Sequence, residues 1–122
     1  MNIESRLKQI KIENFIFIIY LGIIALSFYA NKLEKEYLIH NNKEAKEKYR
    51  HILITIFSIA LLVYIYYAYD SYKSSKIKYQ SQEINEFNNL SLLASTLVLI
   101  SGLIFLYIAY SDKNLNVELA FN

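Results

Sequence analysis

The chain has 122 residues, 55% of them apolar, with no proline, no cysteine and only two glycines, Gly22 and Gly102, a composition that suits one helical domain. Without cysteine there can be no disulfide, no thiolate metal site and no cysteine nucleophile. The formal charge of +2 comes from thirteen basic and eleven acidic residues that interleave along the chain, which excludes the concentrated basic patch of a nucleic-acid binder.

The leader carries Ile3, Leu7 and Ile10 at helical spacing, and the same three-four alternation continues through Asn14, Phe17, Leu21, Ile24 and Phe28. Such a face fits first turns that lie on the bilayer surface, the simpler reading, or a coiled-coil-like seam packed on another helix. From Asn14 to Asn31 no residue is charged, and these eighteen positions form the first predicted span. A helix needs about 20 apolar residues to cross roughly 30 Å of hydrocarbon, and about 17 to 25 are tolerated. Ala25 and Ser27 make a small-x-small pair of the kind that follows a signal peptide. Acidic Glu4 and Glu13 in the leader, and the helix-favouring run from Lys32 to Glu36, instead favour an uncleaved anchor.

Residues 32–51 are charged on both sides of a short turn expected at about Ile39 to Asn42. Lys32 with Glu36, and Glu44 with Lys48, are spaced to pair on helix surfaces, and Asn42 is placed to cap the second helix. The first two helices should therefore form a hairpin that protrudes beyond the bilayer. His40 and His51 lie near acidic residues, with Glu47 four before His51, but a solvated charged hairpin accounts for them better than a metal site.

The second uncharged run, Ile52 to Tyr69, is again eighteen long, and the third, Phe87 to Ser111, is twenty-five. Residues 70–86 between them read as a helix end plus polar linker, with the third helix expected to start near Asn88 or Asn89 and to end near Asp112. Uninterrupted apolar runs in lipid must satisfy their own amides, so the fold class is all-α with three transmembrane helices, about 14–31, 52–69 and 88–111. Asn14, Asn31, Thr55, Ser58 and Thr96 are expected to bond between helices.

Tyr64, Tyr66, Tyr67 and Tyr69 crowd the end of the second span and Tyr107 and Tyr110 the end of the third, the expected places for interfacial aromatics. Gly22 with Ala25, and Ser91, Ser95 and Gly102 with Val98 between them, are the small residues expected at helix-packing seams. In the tail, 112–122, Leu115, Val117, Leu119 and Phe121 alternate with polar residues as in a short strand, which would suit a frayed end or a peptide added to a partner's sheet.

No ionisable residue lies inside any span, and no phosphate loop or nucleophile elbow is present, which weighs against coupled transport and catalysis; no cofactor or metal is expected. The densest basic segment is the loop with Lys32, Lys35, Lys43, Lys46, Lys48 and Arg50, which tips the orientation towards first loop and C-terminus inside the cell. The usage of lysine, isoleucine, asparagine and tyrosine fits an AT-rich genome, bacterial or phage-borne. The expected partners are the lipid bilayer and either further copies of the chain or a larger membrane protein. A non-enzymatic structural or accessory subunit of the cell membrane is the first functional reading. In size and three-span layout the chain is similar to holins, which implies as the alternative an oligomeric pore former; a small channel or lipid-binding protein comes third.

Overall fold

In the computed structural model, which describes residues 3–77 and 81–115, the chain is all-α. Three helices follow in order: α1 (Ile3–His40), α2 (Lys43–Lys76) and α3 (Gln82–Ser111). All three are long and apolar enough to cross a membrane. At 38, 34 and 30 residues and about 1.5 Å per residue they measure about 57, 51 and 45 Å, well over the roughly 30 Å of hydrocarbon they would have to cross. A helix of such length, set across the hydrocarbon, would extend beyond it at one or both ends.

The chain divides into two compact units at Ile56 and Phe57, inside α2. In the first, α1 and the start of α2 are joined by Asn41 and Asn42 alone, a tighter turn than the four residues expected from the sequence. Asn41 sits at φ 52, the left-handed conformation that asparagine tolerates better than most residues, and so ends α1 abruptly. The Asn42 side-chain oxygen then accepts from the Glu44 and Ala45 amides at 3.0 and 3.3 Å, as expected of an N-cap. Beyond the uncharged runs, each arm adds nine residues, 32–40 and 43–51, or about 13 Å of helix. Leu33, Ala45 and Tyr49 on these arms are buried, and the Lys46 ammonium lies 5.4 Å from the centre of the Tyr37 ring. Lys48 pairs with Glu44 at 3.7 Å, whereas no such pair forms between Lys32 and Glu36 among the described residues.

The leader is continuous with the first span. No proline or glycine interrupts α1 before Gly22, so its first turns continue the helix of the span, a course that favours the seam over turns lying flat on a bilayer. The stripe from Ile3 to Phe28 is exposed throughout, and the packed face is the opposite one, through Ile16, Tyr20, Ile23, Ser27 and Ala30.

In the second unit, α2 runs seven residues past the end of its uncharged stretch, and α3 begins six residues before Asn88. The region expected as a linker is thus mostly helix. Ser81, not an asparagine, caps α3 by accepting from the Ile84 amide at 3.4 Å. Glu83 in the first turn of α3, and Lys73 and Lys76 in the last turn of α2, complement the helix dipoles and carry both helices past the edge of apolarity. The expected end of α3 is where it should be: the Asp112 amide donates to the Ile108 carbonyl at 2.8 Å. Leu115 then stands at φ 56, in a turn and not in extended chain; the alternating residues after it lie outside the described residues.

Replacing Asn42 with Ala should cost about 1 kcal/mol of hairpin stability. Hydrogen exchange in detergent micelles should show the Glu44 and Ala45 amides exchanging several-fold faster, with the amides of α3 unchanged.

Candidate functional site

Hydroxyls on the helices make two kinds of contact. Ser27, Thr55 and Thr96 donate to the carbonyls of Ile23, His51 and Leu92, four residues back on their own helices. This corrects the expectation that Thr55 and Thr96 join helices, and its cause is local: a hydroxyl in an apolar medium takes the nearest carbonyl of its own turn. Ser71, which the sequence placed in a linker, does cross between helices. Its Oγ lies 2.9 Å from Ser95 Oγ and 3.4 Å from Ser91 Oγ.

Ser71 is the polar end of an antiparallel seam within the second unit. The packed stripe of α3 passes through Asn88, Leu92, Ser95, Leu99, Gly102, Leu106 and Ala109 at three-four spacing, with Val98 outside it and 46% exposed. Gly102 is buried, and a Cβ at its position would meet Tyr64 Cδ2 at 2.8 Å, Tyr64 Cε2 at 3.1 Å and Leu61 Cδ1 at 3.5 Å. Further along, the Phe57 and Phe105 rings stack with centroids 5.8 Å apart. Tyr64 is therefore half-buried against α3, while Tyr66 and Tyr67 meet edge to face at 5.5 Å. Tyr69, Tyr107 and Tyr110 are 60%, 70% and 68% exposed, open to headgroups or lipid.

The pairing of Ser71 with Ser95 and of Tyr64 with Gly102 fixes the level of one helix against the other. It sets the first half of α3, with Asn88, Asn89, Ser91 and Ser95, beside the charged end of α2 at Asp70, Lys73 and Lys76. This explains why the third uncharged run is seven residues longer than the second: its early part matches the polar end of its neighbour. The lysines there lie over tyrosines one turn back, Lys73 at 5.5 Å from the Tyr69 ring and Lys76 at 4.5 Å from that of Tyr72. Stacking of this kind suits a headgroup layer, where an apolar ring and an ammonium are both accommodated.

The other sequence-predicted packing residues are placed differently. Gly22 and Ala25 are exposed, and a Cβ at Gly22 would meet nothing within 4 Å. His40 and His51 are exposed on the hairpin, and among the described residues no three histidine, aspartate or glutamate side chains gather where they could hold a metal. Ser71, Leu61, Phe57 and Phe105 were missed by the search for small residues; the heptad phase of α2, 57-61-64-68-71, carries the signal that finds the first three, and Phe105 has no such signal.

No family model, no curated protein and no solved structure matches this chain. What the fold establishes is a small polytopic protein with three candidate membrane spans and apolar helix surfaces suited to lipid.

Gly102→Ala should destabilise the second unit by about 1 to 3 kcal/mol, because the Tyr64 ring must move to admit the methyl. Thermal unfolding in detergent should show the loss, and a smaller side chain at Tyr64 should recover part of it. Gly22→Ala, with open space around it, should instead be neutral or gain up to about 1 kcal/mol from helix propensity. Ser71→Ala should cost about 0.6 kcal/mol and no more than roughly 1.7.

Proposed function

We propose that this protein is a non-enzymatic structural or accessory subunit of the bacterial cell membrane that works by helix packing and by presenting the α1–α2 hairpin to a partner. The observation that carries this reading is the exposed apolar pair Leu38 and Ile39, 69% and 62% accessible, at the tip of the hairpin. They lie six or more residues beyond the last uncharged position of the first span, about 10 Å out from the hydrocarbon, where lipid does not reach them. The arms below are packed and the turn is capped, so the tip is held in place before any partner arrives. Absence of ionisable groups from the uncharged runs supports a passive role over coupled transport. In the orientation favoured by the basic residues, the hairpin faces the cytoplasm.

A holin-like pore is the second reading, favoured by the hydroxyl contacts of Ser71, Ser91 and Ser95, which would hydrate if many copies opened the seam between α2 and α3.

Purification in mild detergent should recover a stoichiometric partner, and the double substitution Leu38→Glu, Ile39→Glu should reduce its recovery roughly tenfold or more while leaving membrane insertion intact. Overexpression should leave the membrane potential unchanged; timed depolarisation would replace this reading with the pore. A single cysteine introduced at Asn41 should react with an impermeant maleimide only after the cells are opened.

A further inference from the structure

The exposed stripe of α1 runs without a break from water into the membrane. Ile3 and Leu7 are 77% and 55% exposed before the span, and Leu21 and Phe28 are 66% and 73% exposed within it, all on one three-four register. Lipid suffices to cover the second pair. It cannot cover the first: Leu7 and Ile3 stand about 10 and 16 Å outside Asn14, past a headgroup layer of roughly 6 Å. The unbroken helix of α1, without proline or glycine before Gly22, opposes their bending down, and Glu4, Arg6, Lys8 and Lys11 keep these turns out of the hydrocarbon.

A cover for such a stripe must itself be a helix that continues from water into lipid with the same period. We propose that it is α1 of a second copy, in a parallel pairing about a two-fold axis along the membrane normal. Two features favour this occupant. A stripe with apolar residues at alternating three and four spacings for more than three heptads supercoils against its own copy, and two-fold symmetry requires no second sequence. Asn14, exposed at the membrane edge, occupies the core heptad position where an asparagine pairs with itself across the axis and selects a two-stranded parallel arrangement. One flanking contact opposes it: Arg6, held by its own Glu13 at 3.1 Å, approaches Lys11 of the second copy. The pairing is thus moderated by a like-charge contact and strengthens with salt.

This pairing rests on the accessory-subunit reading, of which it would be the assembly step, but the two fail separately. The test is disulfide crosslinking of the full chain in native membranes, with single cysteines on the stripe (Leu7→Cys, Ile10→Cys, Leu21→Cys, Ile24→Cys) and off it (Ser5→Cys, Ile12→Cys, Phe15→Cys). Dimer is expected at the four stripe positions and not at the other three. Adding Lys11→Glu to Leu7→Cys should raise the dimer yield about twofold to fivefold. Uniform or absent crosslinking in membrane-inserted protein would overturn the proposal, as would a stripe that crosslinks to a different protein, an outcome that leaves the accessory role standing. Depolarisation on overexpression would remove the accessory role and leave the dimer seam to be judged by the same crosslinks.

Discussion

Exclusion of ionised side chains from hydrocarbon is the constraint on which the rest of this structure depends. In a bilayer it would admit the segments from Asn14 and from Ile52, each eighteen residues long, and force their charged continuations out. The twenty-five-residue run before Asp112 is too long for the same slab if all of it is counted. The register between Ser71 and Ser95 resolves the mismatch, because it sets the asparagines and serines at the start of α3 beside the aspartate and lysines that end α2. The apolar part of α3 beyond the serines then no longer exceeds the eighteen-residue run of its neighbour α2, about 27 Å of helix.

Burial of apolar surface contributes little to helix association once both faces are already in lipid, so close contact and hydrogen bonds must hold the second unit together. Gly102 supplies the close contact by letting the flat ring of Tyr64 lie on the bare backbone of α3. The serine cluster supplies the hydrogen bonds at the polar end, where water would otherwise compete for them, and the Phe57–Phe105 stack closes the apolar end. On α2 these contacts fall on one heptad phase, and on α3 Ser95 and Gly102 lie on the packed stripe with Phe105 beside it. Together they fix a single register: a slip of one residue would drive a Cβ into the Tyr64 ring and separate the serines.

How much of this was legible beforehand follows the same division. The three spans could be read because they depend on runs of residue type, and the cap at Asn42 because it depends on one residue beside a charged helix start. The helix ends at Lys76 and Gln82 could not be read from apolarity, since a helix stops where its capping and propensity fail and not where its side chains become polar. Gly102 was legible as a small residue, but its partner Tyr64 looked like one more interfacial aromatic, because an aromatic on a span has the same sequence signature whether it faces lipid or a neighbour. The exposure of Gly22 has the same explanation: smallness permits close approach without requiring it.

Two of the exposed apolar groups outside the uncharged runs, the hairpin tip at Leu38 and Ile39 and the leader stripe at Ile3 and Leu7, differ in what they can bind. The tip is a point: two residues on a capped turn, with charged arms on either side, which suits insertion into a pocket on a larger surface. The stripe is a line, periodic and continuous with a lipid-facing face, which suits only another long helix. A chain with both features can join its own copy along the line and a different protein at the point, because the two sites lie at opposite ends of α1 and compete for no residue. A dimer formed along the stripe would present two tips at once, and a partner with paired pockets would gain from the second contact without any change in the first.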